Sequence, residues 1–410
     1  MPKGRGVPTG ATAKQQVETV PGSGELPGMR VAVGRIATID ALRGFVMLLM
    51  LVDHAREFFY MHAQVSDPVD VATTPPGLFF TRLLAHLCAP VFVALTGLSA
   101  WLHGQRRGGR RATAAFLLKR GLFLVLLELT LVNFAWTFAL VPPTYFLQVI
   151  WAIGLSMIAL AGLLWLPTPT PALVVLGLAI VFGHNLLDSV SFEPGTPGAT
   201  LWAILHKRGF IALPWGARAR TSYPLLPWIG VIALGYGIGP WFAGQVNPTV
   251  RRLRLYALGL AALALFILLR LANGYGEPVP WTSGATPLLS LISFLNLTKY
   301  PPSLDFLLLT MGGGALLLAA LDHVPSRLLA LLSTFGAAPL FFYLLHLYLL
   351  HGLNSVALAL FGPNQGALFS VPSVPWLWAL AALVSLPLWF ACRWFMRLKA
   401  RTRSPWLSYL

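Results

Sequence analysis

The sequence predicts an all-α polytopic membrane bundle of about ten transmembrane helices (ten or eleven), and two observations carry that expectation. First, 57% of the 410 residues are hydrophobic and only 10% are charged, against roughly 45–50% and 25% in soluble chains. No single soluble core hides so much apolar surface, so the bilayer has to solvate most of it. Second, the apolar residues fall in runs near the ~20 residues that a helix needs to cross the hydrocarbon. The formal charge of +16, from 29 basic and 13 acidic residues, would suit nucleic acid. On so apolar a chain it reads instead as cytoplasmic loops rich in Lys and Arg, with no nucleic-acid partner.

Along the chain, residues 1–35 are rich in Gly, Pro and Thr and lack the apolar core of a secretory signal. They predict a disordered basic tail that stays attached. Residues 36–398 form the expected transmembrane domain, and 399–410 a cytoplasmic C-terminal tail. Within the domain the spans fall at about 38–60, 78–102, 113–138, 146–166, 171–188, 223–243, 252–273, 303–321, 335–360 and 374–396. A further short or re-entrant piece is expected at about 284–297, where the apolar run is too brief to cross alone. With both termini cytoplasmic, the inside connections include His103–Arg111 (HGQRRGGRR), Gln245–Arg254 (QVNPTVRRLR), Asp322–Arg327 and the tail RWFMRLKARTR. They hold most of the Lys and Arg after the first helix, as the positive-inside rule requires. The exception is the long, aromatic-rich 189–222 connection, which places Lys207, Arg208, Arg218 and Arg220 outside and reads as a tolerated long loop or a substrate-facing cap. Cys88 and Cys392 form no CxxC and no metal spacing.

Charge inside a bilayer costs a few kcal/mol or more, so an intramembrane ionisable group is a functional hypothesis by default. The first helix, IDALRGFVMLLMLVDHAREFFYMH, holds Asp40, Arg43, Asp53, His54, Arg56 and Glu57. At about 100° per residue, Asp40, Arg43, His54 and Glu57 share a stripe roughly 100° wide, Asp53 flanks it, and Arg56 lies on the far side. Arg43 and His54 stand about 16 Å apart along the axis, one toward each side of the membrane. His54, beside Asp53 and one turn before Glu57, has the parts of a general base with an orienting carboxylate.

Other polar residues in the spans admit both structural and functional readings. His86 faces His54 or pairs structurally. Glu128, mid-span beside Asn133, needs a cationic or protonated environment, for which Arg43 is the nearest candidate by depth. His346 and His351 are five residues apart and point to different faces, a poor metal pair, and no metal motif such as HExxH occurs. The run Gly312–Gly314 predicts close helix packing. At the outer edge, NLTKYPPSLDF brings Lys299, Tyr300 and Asp305 to the membrane boundary, where Pro301 and Pro302 break one helix and prepare the next. These residues are ordinary interface anchors or line a site open to the outside.

Six ordered segments carry a family resemblance: RIATIDALRGFVMLLMLVDHAREFF, HLCAPVFVALTG, RGLFLVLLELTLVNFAW, QVIWAIGLSM, YPLLPWIGV and FLNLTKYPPSLDFLLLTMG. They resemble bacterial membrane proteins related to the catalytic domain of heparan-α-glucosaminide N-acetyltransferase, over about residues 35–360. The Arg43 and His54 pair is also similar to the Arg–x10–His pattern of the broader transmembrane acyltransferases. The resemblance implies transfer of an acetyl group from cytosolic acetyl-CoA, a cosubstrate and not a resident cofactor, to an extracytoplasmic sugar or glycan acceptor. It also implies a multi-pass protein of the bacterial inner membrane, with the lipid bilayer as its surroundings and self-association left open. In the animal enzyme the position matched by His54 is an asparagine and a histidine slightly further on does the chemistry. The candidates for acyl transfer are therefore His54 and His62, with Asp53 or Glu57 holding the base, and Arg43 with Asp40 on the donor side. A proton-coupled transporter or flippase, relaying protons along the same stripe, is the rival reading. Broken helices in two related halves would favour that rival, and none is evident.

Overall fold

The computed structural model describes residues 36–106 and 108–402; the tail expected at 1–35 lies outside the described residues. Among the described residues, six helices are long and apolar enough to cross a membrane: Pro76–Arg106, Thr170–Leu187, Pro248–Ala272, Leu304–His323, Pro339–Phe361 and Val374–Arg401, with Val149–Trp165 and Leu226–Phe242 as shorter apolar helices. The chain is mostly helical and an integral membrane protein by this composition.

The chain begins with α1 (Ala37–Phe59), then α2 (Pro76–Ala85) and α3 (Cys88–Arg106), which form one bent span broken at His86–Leu87. α4 (Gly109–Leu127) continues through a π turn at Glu128–Val132 into α5 (Asn133–Thr137). After β1 (Thr144–Leu147) come α6 (Val149–Trp165), α7 (Thr170–Gly183) with a 3-10 turn His184–Leu187, α8 (Pro197–Leu205), β2 (Gly209–Ala212) and β3 (Arg218–Thr221). α9 (Leu226–Gly237), α10 (Pro248–Ala272), α11 (Pro287–Leu295), α12 (Leu304–Ala320), α13 (Ser326–Gly336), α14 (Pro339–Phe361) and α15 (Val374–Arg401) complete it. The short piece expected near 284–297 is α11. Its nine residues rise only ~14 Å, too little to span.

Helix starts follow local chemistry. Asn247 accepts the Thr249 amide at 2.8 Å with Pro248 in the first turn of α10. Ser303 accepts the Phe306 amide at 3.1 Å at the start of α12. Each satisfies an amide that the first turn leaves unpaired. α10 ends at Asn273, whose φ of 55° is the left-handed C-cap that Asn tolerates.

α1 is the centre of the bundle. It packs on α2, α3, α13, α14 and α15, which lets a helix with five Asp, Glu and Arg side chains exist where lipid would reject it. Its crossing with α13 is backbone to backbone: a Cβ on Gly336 would sit 1.8 Å from the Asp40 carbonyl oxygen, and one on Gly44 1.9 Å from that of Leu332. Only glycine permits that approach. The Gly312 packing expectation also holds, since a Cβ there would come within 3.1 Å of the Gly259 carbonyl on α10. At the periphery, α15 buries Leu377, Ala381, Val384, Leu388 and Cys392 while exposing Leu383, Leu386, Phe390 and Trp394. One face meets protein and the other suits lipid.

The all-α expectation needs one correction. Part of the 189–222 connection pairs with the α5–α6 connection in a three-stranded sheet of order β1-β3-β2, with β1 parallel to β3 and β2 antiparallel to it. The β2–β3 turn holds Gly216 at φ +85°, and Leu213 and Ala217 close it through a 2.8 Å backbone bond. Four-residue strands such as GFIA and RART carry too weak a periodic signal to stand out within a long polar connection.

Candidate active site

The C-terminal half of α1 meets α5, α14 and the 296–303 connection, and there the ionisable residues divide into two clusters. The first is a histidine pair. His54 Nδ1 lies 2.7 Å from His346 Nε2, and His346 Nδ1 lies 2.9 Å from the Phe342 carbonyl oxygen. The two imidazoles are parallel within 5° with centroids 5.0 Å apart. A nitrogen–nitrogen distance of 2.7 Å is too short for face stacking, so the rings meet edge to edge through an in-plane hydrogen bond. Trp136 of the α5 segment and Tyr343 of α14 stand edge-on to the His54 ring at 5.1 and 6.0 Å. His54 is half-buried and His346 is fully enclosed.

The second cluster is ionic. Arg56 donates through Nε to Asp53 Oδ1 at 3.2 Å and through Nη2 to Glu57. Lys299 Nζ lies 3.8 Å from Asp53 Oδ2 and 5.2 Å from the centre of the Tyr300 ring. Asp67 pairs with Arg82 and also accepts the Lys299 amide at 3.1 Å. Three carboxylates thus face three cations, which spares the membrane an unbalanced charge. Burial works against the Lys299 ammonium, but Tyr300 and Asp53 outweigh it and hold its pKa above the ordinary lysine value, so it stays charged.

Polar bonds pin the connection that carries Lys299 and Tyr300. Asn296 exchanges two hydrogen bonds with the Val69 backbone at 3.0 and 2.8 Å. Glu277 accepts from the Thr298 amide at 2.9 Å and the Ser303 hydroxyl at 2.6 Å, and Asn185 accepts the Leu304 amide at 2.9 Å. Behind it, buried Arg270 gives its guanidinium to the carbonyls of Phe294, Val279, Ser293 and Asn296 at 2.8–3.1 Å. It thereby caps the C-terminal end of α11, whose carbonyls lack intrahelical partners. Nothing in the hydropathy of its span singles Arg270 out. Tyr300 reaches Tyr223 hydroxyl to hydroxyl at 3.3 Å, and Arg208 lies 5.1 Å over its ring.

Several expected neighbours are elsewhere. Asp53 and Glu57 spend their carboxylates on Arg56, so neither orients His54; the in-plane partner of the base is His346. Arg56 is buried to 3% exposure despite its position opposite the stripe, because protein surrounds α1 on several sides. His86 packs its ring on Phe306 at 5.0 Å and not on His54. Glu128 is not paired with Arg43: its two oxygens accept the amides of Gln148 and Trp151 at 3.2 and 3.1 Å, at the start of α6. The favourable end of a helix dipole takes the place of the expected cation there. Asp305 is buried at the first turn of α12, with Oδ1 against the α-carbon region of Gly276. His62 is exposed in the 3-10 turn Met61–Ala63, its ring 4.4 Å from that of Tyr60. His351 bonds the Ala135 carbonyl at 2.7 Å, away from His346, as the spacing requires.

At the other end of α1, Arg43 donates to Asp40 at 2.8 Å, to the Gly336 carbonyl at 3.2 Å and to Ser99 Oγ at 3.3 Å. It ties α1 to α13 and α3 at the point where the glycine crossing brings them together.

Residues 35–270 match the model of the catalytic domain of heparan-alpha-glucosaminide N-acetyltransferase, more than half of the chain. The chain belongs to that family. The matched segment of this N-acetyltransferase catalytic domain contains α1 and His54 and ends within α10, so Lys299, Tyr300 and His346 lie beyond it. No curated protein matches the chain. Membership of the N-acetyltransferase family agrees with the five ordered segments that fall within residues 35–270, the sixth (FLNLTKYPPSLDFLLLTMG) lying beyond the match, and makes a membrane acetyltransferase the class of activity.

Proposed function

We propose that the protein transfers an acetyl group from cytosolic acetyl-CoA to a sugar or glycan acceptor on the opposite face of the membrane, with His54 as general base. The observation that carries this reading is the hydrogen-bonded chain from Phe342 O through His346 to His54. With both rings neutral it leaves His54 Nε2 as an unprotonated nitrogen. That nitrogen takes the proton of an acceptor hydroxyl or amine as the acceptor attacks the thioester carbonyl. The new C–O or C–N bond forms, the C–S bond breaks, and the departing CoA sulfur receives the proton back from the imidazolium. Lys299 and Tyr300, held at the outer boundary beside Asp53, line the acceptor's approach. Arg43 and Asp40 lie on the donor's side.

The corresponding topology has ten spans: α1, α2–α3, α4–α5, α6, α7, α9, α10, α12, α14 and α15, with both termini cytoplasmic. Alternation along this order puts the Ala37 end of α1 and the Arg401 end of α15 on one side. The connections carrying Arg110 and Arg111, Arg251 and Arg252, and Arg327 fall on that side too, as the positive-inside rule asks. A cytoplasm-active reporter fused after Arg111 is expected to be active and one near Thr196 inactive; the reverse pair would overturn the donor-inside scheme.

The deciding experiment offers labelled acetyl-CoA to the purified protein with a panel of hexoses and hexosamines. Acetylated sugar and thermal stabilisation by acetyl-CoA are expected. Arg43→Ala should weaken that stabilisation, and Arg43→Lys should recover only part because a point charge replaces a planar fork. Proton-driven sugar uptake by vesicles without acetylated product would favour the transporter reading instead.

A further inference from the structure

We propose that His346, on α14 and outside the family-matched segment, is the positioning residue that fixes the tautomer of His54 and aims its Nε2 at the reacting groups. The kinetic part of this inference rests on the proposed acyl transfer; the tautomer part does not.

The chain of reasoning starts at an atom with no choice. A peptide carbonyl can only accept, so the 2.9 Å contact between Phe342 O and His346 Nδ1 requires a hydrogen on Nδ1. In a neutral imidazole the other nitrogen then carries the lone pair, so His346 Nε2 is an acceptor. Across 2.7 Å it faces His54 Nδ1, which must therefore hold its own hydrogen. His54 Nε2 is left as the basic nitrogen. One helical carbonyl thus determines which atom of a histidine on another helix is the base. The direction holds because His346 is fully enclosed and its ring is fixed against Phe342 at 5.1 Å and Tyr343 at 5.6 Å.

The arrangement has the logic of a catalytic dyad with an orienter, but the orienter is neutral. When His54 gains a proton, its Nδ1–H bond to His346 becomes charge-assisted and roughly doubles in strength. No carboxylate is spent on it, and Asp53 and Glu57 stay committed to Arg56.

The test is spectroscopic first. In protein labelled with 15N-histidine, signals lost in His54→Gln identify His54. The expected pattern at neutral pH is a protonated Nδ1 and an unprotonated Nε2. Removing the acceptor in His346→Leu should shift His54 to the Nε2–H form or to a mixture, whereas His346→Gln keeps an acceptor oxygen and should preserve the original pattern. In acetyl transfer, kcat of His346→Leu should fall at least ~10-fold and by no more than the ~10²–10⁴ that losing the base itself costs. KM for acetyl-CoA should not change, and His346→Gln should recover most of the rate. An Nε2–H signature for His54 in the parent protein, or an unchanged one in His346→Leu, overturns the inference. Retained activity in His54→Ala would instead refute His54 as the base of the acyl transfer, absence of any acetylated product in the parent protein would refute the acyl-transfer reading, and in both cases the tautomer signatures would still decide the role of His346.

Discussion

His54→Ala is expected to lower acetyl transfer by about 10²–10⁴, the range for loss of a general base, while acetyl-CoA still stabilises the protein against heat. The expectation comes from position as much as from chemistry. His54 is half-buried on the central helix, and Trp136 and Tyr343 limit its ring to one orientation around the bond to His346. A base must come within about 2.6–3.2 Å of the proton it removes, directly or through one water. His62, exposed in its 3-10 turn against Tyr60, has no comparable enclosure. His62→Ala is therefore expected to have the smaller effect, through the approach of the acceptor. Full activity in His54→Ala, read as acetyl-sugar formed from labelled acetyl-CoA, would sink the assignment, and collapse in His62→Ala alone would move the base there.

The membrane class and the course of the helices were legible because hydropathy is a sum over ~20 residues and tolerates local noise. Breaks were less so. The bend at His86–Leu87 falls within one apolar run, and the sheet rests on three four-residue strands, with β1 joined to β3 across 74 residues of chain (Thr144 to Arg218), a pairing that no local window contains. In the site, the stripe on α1 pointed to His54 but named the wrong partner for it. A helical wheel ranks neighbours on its own helix and is blind to the 292 residues that separate His54 from His346. The partner of Glu128 was missed for a related reason. Its stabilising groups are two backbone amides at the start of α6, and backbone amides have no residue letter to read. The five-residue spacing of His346 and His351 did exclude a shared face, yet it also drew attention from His346, whose use depends on another helix.

Arg56→Gln should cost about 3 kcal/mol of stability, near the lower end of the 3–5 kcal/mol that follows when a buried ion pair loses one partner. Arg56 is 3% exposed and bonds both Asp53 and Glu57. Its removal strands carboxylates in a low-dielectric interior, and that desolvation, not the lost attraction, dominates the cost. Two features soften it. Lys299 remains 3.8 Å from Asp53, and the Glu57 side chain, at 34% relative exposure, can recruit water. The double change Asp53→Asn with Arg56→Gln removes the more buried of the two stranded charges and should therefore be less destabilised than Arg56→Gln alone, although it has lost more of the native contacts. Unfolding titrations of the two variants and the parent in detergent micelles would measure this. A parent-like midpoint for Arg56→Gln, or a double variant weaker than the single, would mean that the ionic cluster is hydrated and that the outer half of α1 is open to water from the acceptor side.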